Sequence, residues 1–218
     1  RERDEFVYKA DYKEEKDQAY VVISEGCDNF CSYCVVPYVR GMLRNRHHES
    51  ILQEIKNNID RGIRNITLLG QNVNAYHSDT KDFDFVDLLE RVNALKGLKE
   101  LTFVTSHPKD ATKKLFEAMA RLDKVQKYLH LPVQSGSNKI LKLMGRGYTR
   151  QHYLYLIEEY RKAVQDGKLS TDIIVGFSQE TEDDFRDTLD LIKRVRFNNA
   201  YIFKYSVRPH VEAGNVVL

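Results

Sequence analysis

The sequence predicts an α/β fold built on parallel strands. Three observations carry this. Short apolar runs rich in β-branched and aromatic residues recur from residue 19 onward. Amphipathic helical stretches separate them. Polar, glycine-bearing segments follow the runs. Strand–helix alternation implies right-handed crossovers and a ligand site at the carboxyl ends of the strands. Six units are too few for a closed eight-fold barrel, so an open six-stranded barrel and a doubly wound sheet both remain.

The strands are expected at 19–24 (AYVVIS), 65–69 (NITLL), 100–104 (ELTFV), 127–131 (KYLHL), 170–175 (STDIIV) and 200–205 (AYIFKY). Between the first two, Ser50 and Gln53 form a capping-box pattern ahead of Ile51, Leu52, Ile55 and Ile59. Phe85, Leu88, Leu89 and Val92 mark the second helix. Asp110 is the expected cap of the third, whose stripe is Leu115, Met119 and Leu122. Ile140, Leu141 and Met144 mark a short helix, and Thr149 opens a longer one carrying Tyr153, Ile157 and Tyr160. Thr181 with Asp184 caps the helix bearing Phe185, Leu189 and Ile192.

The bulk properties set limits. The chain has 218 residues, 42% hydrophobic and 30% charged, which suits a globular domain with a buried core. A formal charge of +2 neither demands nor excludes a polyanionic ligand. No run approaches the ~18 apolar residues of a membrane span, and no secretory signal is visible. Residues 1–18 are charge-rich and read as a linker from an upstream domain, with the core over 19–218. The chain starts at Arg1, so a fragment of a longer protein is expected.

All three cysteines, Cys27, Cys31 and Cys34, lie in one C-x3-C-x2-C segment just after the first strand. An odd count in one tight cluster argues against a disulfide framework and for a reducing compartment. Three thiolates on one loop can hold three corners of a cubane iron–sulfur cluster and leave the fourth iron open to a substrate. Zinc is the competing reading, but a structural zinc site wants four ligands, usually as two pairs, and only His47, His48 or a distant carboxylate could complete it. The iron–sulfur reading fits the spacing better.

Taken together, GCDNFCSYCVVPYVRG (26–41), LLGQNVNAY (68–76), TSHP (105–108), LHLPVQSGSNKILKLMGRGYTR (129–150) and STDIIVGF (170–177) resemble the radical S-adenosylmethionine (SAM) superfamily and, within it, the methylthiotransferases. The likeness is greatest to those that add a methylthio group to carbon 2 of isopentenylated adenosine beside the tRNA anticodon. Methylthiotransfer to a ribosomal-protein aspartate or to threonylcarbamoyladenosine is the near alternative. A non-catalytic zinc- or RNA-binding module is the alternative of another class. The resemblance implies an open (β/α)6 partial TIM barrel of radical SAM type, a [4Fe–4S] cluster on Cys27, Cys31 and Cys34, and SAM on the open iron. It also implies a second [4Fe–4S] cluster in an upstream domain, tRNA as substrate, an electron donor such as flavodoxin or ferredoxin, and a cytoplasmic setting without a membrane.

The resemblance further implies SAM contacts from Tyr33, Gly70, Gln71, Asn72, Ser106, Gln134, Asp172 and Arg208. Basic residues near the rim, Arg40, Arg44, Arg46 and Arg146, together with Lys139, Lys142 and Arg150, are candidates for tRNA phosphates. Two departures stand out. Ser178-Gln179 replaces the family's Pro-Gly, which predicts a less rigid loop. Arg208-Pro209-His210-Val211 replaces Arg-x-Gly-Thr, which puts the contacts of that segment in question.

Overall fold

A computed structural model describes residues 17–80, 82–208 and 211. The elements run β1 (Gln18–Val22), β2 (Ser24–Glu25), α1 (Val36–Arg40), β3 (Arg44–Asn45), α2 (His48–Asp60), β4 (Asn65–Leu69), α3 (Phe85–Asn93) and β5 (Glu100–Phe103). They continue with α4 (Lys113–Arg121), β6 (Tyr128–His130), α5 (Asn138–Leu143), α6 (Arg150–Ala163), β7 (Lys168–Val175), α7 (Glu182–Val195) and β8 (Asn199–Lys204). The strands β1-β4-β5 pair in parallel, as do β6-β7-β8. A parallel bridge between Leu101 and Val125 joins the two groups. The six long strands therefore follow one another in chain order. A doubly wound sheet would reverse that order at a switch point, so the arrangement is an open arc of the barrel kind. Among the described residues β1 and β8 do not pair with each other.

Alternation along each strand separates two faces. Val21, Leu68, Leu101, Leu129, Leu131, Leu169 and Ile173 are buried toward the helices. There α2 packs on β1 and α3, α3 on α4, and α4 on α6. The concave face is polar at its base. Gln18 Nε2 donates to Thr67 Oγ1 (2.9 Å), and Thr67 shares a 2.6 Å hydrogen bond with Thr102. Next to these, Tyr128, His130, Ser170 and Asp172 form a second polar group. β8 differs from the other long strands. All six of its residues are exposed, including Tyr201, Ile202 and Phe203.

The helix starts show where local chemistry decided. Thr149 and the Thr181–Asp184 box cap α6 and α7 as expected, and Asp84 with Asp87 forms a further box at α3; each such cap is worth roughly 1 kcal/mol. Two expected caps are corrected. Ser50 lies inside the first turn of α2, where its hydroxyl accepts from Arg46 Nη2 at 3.2 Å, and His47 takes the cap position. Asp110 accepts from Asn72 Nδ2 at 2.6 Å, which leaves Thr112 to cap α4. The expected linker over 1–18 lies outside the described residues except at its end. There Asp17 Oδ1 accepts from Arg64 N (2.6 Å), and Gln18 already belongs to β1.

The 178–179 loop is better held than its composition predicts. Lys139 Nζ donates to Gln179 O at 2.7 Å, Glu180 N donates to Phe177 O at 2.9 Å, and Ser178 is buried. Gln179 nevertheless sits at φ +65°. The left-handed conformation costs a non-glycine residue roughly 1–2 kcal/mol, while glycine's freedom in the unfolded chain costs back about 0.5–1 kcal/mol. Gln179→Gly is expected to stabilise the protein by about 0.5 kcal/mol, read as a raised urea midpoint at constant m value; a lowered midpoint would refute the strain.

Candidate iron–sulfur and cosubstrate site

The cysteine loop is an excursion closed at its neck. Residues 26–43 leave the sheet after β2 and return at β3, and β2 pairs with β3 in antiparallel register, Ser24 with Asn45 and Glu25 with Arg44. Gly26 stands at the neck with φ +71°. A Cβ there would lie 2.2 Å from Met42 O and 2.4 Å from Gly41 O. Inside the excursion, Cys34 N donates to Cys31 O (2.8 Å), and Leu43 N donates to Asp28 Oδ1 (2.7 Å). Helix α1 starts directly after the last cysteine with Pro37 in its first turn. Neither α1 nor the β2–β3 pair is expected from periodicity, because both are too short to show one.

Two donors reach the thiols. Asn29 Nδ2 lies 3.5 Å from Cys27 Sγ, and Lys109 Nζ donates to Asn29 Oδ1 at 2.6 Å. Arg146 Nη1 lies 3.4 Å from Cys31 Sγ. Burial pushes the Cys27 and Cys34 thiols up, against backbone hydrogen bonds that favour the thiolate. Arg208 is exposed, and its charge adds a weaker pull toward the Cys34 thiolate. Tyr33 packs edge-on against Phe177, which in turn meets Tyr205.

A cleft of about 440 Å³ opens beside Cys27, lined among others by Asn29, Asn72, Asn74, Lys109 and Asp110. Around the ends of β2, β4 and β5 four buried polar atoms lack a protein partner: Ser24 Oγ, Asn72 Oδ1, Ser106 Oγ and His107 Nε2. Each costs roughly 1–3 kcal/mol if nothing meets it. His107 is pushed down to about 2 by burial, then by the charges of Arg146 and Lys109, so the ring is neutral. Its Nδ1 accepts from Lys109 N (3.1 Å), which puts the proton on Nε2. Three adjacent strand ends thus present acceptors and a neutral donor, a set suited to a polar cosubstrate. Among the described residues no three His, Cys, Asp or Glu side chains converge on one ion. A cubane asks for less, since each thiolate meets its own iron. The donor set fits such a cluster.

The other expected site residues divide. Gly70 packs closely on Ser24, whose hydroxyl would lie 2.5 Å from an added Cβ and would have to turn away; Gln71 is half-buried beside it. Gln134 adopts φ +73°, donates its N–H to Asp172 O (2.9 Å) and accepts from Ile174 N (2.9 Å). Asp172 faces the concave side, its carboxylate 3.5 Å from His130 Nε2. The Ser135-Gly136-Ser137 stretch turns away from the rim. Gly136 N donates to Thr188 Oγ1 (2.9 Å) and Ser137 Oγ to Asp184 Oδ1 (2.6 Å), which locks the loop to α7.

Most of the residues expected to meet phosphates have partners of their own in the structure. Arg146 is only 4% exposed and belongs to the cysteine loop's surroundings. Arg46 is turned inward, donating to Val22 O (2.7 Å) and pairing with Glu54 (2.7 Å). Arg44 pairs with Glu25 at 3.1 Å across the neck. Lys139 pairs with Asp184 and Arg150 with Asp187 and Asp190. Arg40 and Lys142 are exposed. Charge in a sequence marks a cation, whereas contacts made far along the chain decide what it neutralises.

An open parallel arc with a triple-thiol loop at its carboxyl rim defines a class, and the chain belongs to it: residues 21–192 match the family model of the radical SAM superfamily. Among curated proteins the chain is 55% identical over 200 residues to the tRNA-2-methylthio-N(6)-dimethylallyladenosine synthase of Moorella thermoacetica, covering 91% of this chain and 45% of that protein. It is 52% identical to the like-named protein of a Thermoanaerobacter strain, covering 91% and 42%. The chain therefore spans somewhat under half the length of these relatives. Among solved structures it is similar to the radical SAM methyltransferase TsrM of Kitasatospora setae (TM-score 0.73, 17% identity, 90% of this chain and 38% of that one). It is also similar to coproporphyrinogen III oxidase HemN of Escherichia coli (TM-score 0.65, 16% identity, 91% and 46%). These two likenesses concern the fold alone.

Proposed function

We propose that this chain is the radical-generating core of a tRNA methylthiotransferase that modifies carbon 2 of isopentenylated adenosine next to the anticodon. The observation that carries the reading is 46–55% identity, over nine-tenths of the chain, to relatives bearing that activity in their name. Cys27, Cys31 and Cys34 would hold a [4Fe–4S] cluster. When bound with SAM, it supplies the reductive cleavage that makes a hydrogen-abstracting radical, the protein contributing binding and orientation.

The chain's own residues serve this in defined ways. The half-buried loop limits water around the thiols. His107 Nε2–H, Asn72 Oδ1 and the Ser106 hydroxyl offer hydrogen bonds to the polar cosubstrate. Tyr201 and Phe203, exposed on the concave side of β8, offer a face on which a nucleobase can stack. Exposed Arg40 can meet a tRNA phosphate. A flavodoxin- or ferredoxin-class donor, a second cluster outside this chain and a cytoplasmic setting complete the proposal. No helix among the described residues is long and apolar enough to cross a membrane.

Anaerobic reconstitution of the 218-residue chain tests the reading. About four irons with matching sulfide per chain are expected. With SAM, tRNA and dithionite, 5′-deoxyadenosine should form without methylthiolated nucleoside, because all three thiols present are committed to one loop. Stoichiometric zinc in place of iron would overturn the cluster. Methylthiolated tRNA made by this chain alone would overturn the division of labour.

A further inference from the structure

We propose that Arg146 is the positioning residue of the cysteine loop, a buried cation that fixes Cys31 and stabilises the negative charge that one-electron reduction brings to the cluster. The inference rests on the cluster reading above.

The guanidinium uses all three nitrogens. Nη2 donates to Pro132 O at 2.8 Å and Nε to Tyr148 OH at 3.0 Å, while Nη1 faces Cys31 Sγ at 3.4 Å and Tyr33 OH at 3.3 Å. Tyr148 OH in turn donates to Val133 O at 2.8 Å. The anchor is thus the segment after β6, and the free edge of the fork is aimed at the loop. A buried guanidinium costs several kcal/mol unless an anion meets it. The groups that face the guanidinium are two phenols, a backbone carbonyl and a thiol, with no carboxylate among its hydrogen-bond partners. The anion that completes this site is Cys31 as a metal-bound thiolate.

Hydrogen bonds to a ligating sulfur and nearby charge set the potential of an iron–sulfur centre. A fixed cation favours the form carrying one more electron, so Arg146 raises the potential and eases reduction by a low-potential donor. The bond also orients Cys31, as outer-shell partners orient metal ligands generally.

The reconstituted 218-residue chain is compared with Arg146→Gln, Arg146→Lys and the surface control Lys142→Gln by EPR-monitored titration with dithionite, without SAM. Arg146→Gln should shift the reduction equilibrium at least about tenfold toward the oxidised form, 59 mV for one electron. Arg146→Lys should shift it less in the same direction, and Lys142→Gln not at all. In wild type labelled with 15N-arginine, pulsed EPR of the reduced cluster should show a weak guanidinium nitrogen coupling, a readout that needs no variant. Equal potentials in wild type and Arg146→Gln, or an absent coupling where iron analysis proves the cluster present, would overturn the role. Where Arg146→Gln takes up no cluster, the wild-type coupling decides. Absence of iron from wild type would instead refute the cluster reading itself.

Discussion

Replacing any one of Cys27, Cys31 or Cys34 with alanine is expected to lower 5′-deoxyadenosine formation by the reconstituted chain at least about 1000-fold, equivalent to ~4 kcal/mol of activation free energy. No fourth cysteine exists in the chain to substitute, and no three other His, Asp or Glu side chains among the described residues gather to take over. The fold should survive, since the loop is an excursion tied at its neck by β2 and β3. Circular dichroism should therefore stay native while iron and sulfide fall. Ser32→Ala is the informative control. It removes the 2.8 Å bond to Leu143 O, worth about 1 kcal/mol, but no ligand. An alanine variant that keeps four irons and cleaves SAM would end the three-thiolate assignment.

The second large effect lies at Gly26. Alanine there meets two obstacles, a left-handed backbone costing roughly 1–2 kcal/mol and a Cβ 2.2–2.4 Å from the carbonyl oxygens of Met42 and Gly41. Relieving such an overlap by backbone shifts costs a further 1–3 kcal/mol or so. Gly26→Ala should thus lose about 2–5 kcal/mol, a large share of a typical 5–15 kcal/mol stability. Gly41 separates the two terms. Its φ is +77° and its ψ −169°, a region essentially confined to glycine that costs about 1–3 kcal/mol, but a Cβ there has nothing within 4 Å, so Gly41→Ala should lose that conformational part alone. Urea denaturation of both variants checks this; equal losses would mean the neck relaxes freely and the overlap carries no cost.

What the sequence reveals and what it hides follow from range. The six strands are legible because two-residue alternation and capping chemistry are written within a few residues, as at Asn65–Leu69 and Thr181–Asp184. The thiol loop is legible because its ligands are adjacent. Arg146 is not. Its meaning comes from Cys31, 115 positions away, and from Pro132 across the rim, while its neighbours in sequence make it look like one more surface cation. The same holds for Ser135-Gly136-Ser137, whose small polar residues suggest a ligand loop until α7 is placed against them. His107 gave no signal beyond its position after a strand. Its donor atom is fixed by the Lys109 N–H that Nδ1 accepts, and burial keeps the ring neutral.

The tether between the cysteine loop and the end of α5 has a temporal consequence. Ser32 donates through N to Met144 O (3.0 Å) and through Oγ to Leu143 O, and Arg146 follows directly. The thiols are thus synthesised early and organised late. A nascent chain that has emerged only through α4 carries all three cysteines but not Arg146, whose guanidinium faces Cys31 Sγ. Contacts so distant in sequence form slowly, because loop closure must precede them. If these thiols hold a cluster as proposed, its uptake is expected to follow docking of the second half of the arc.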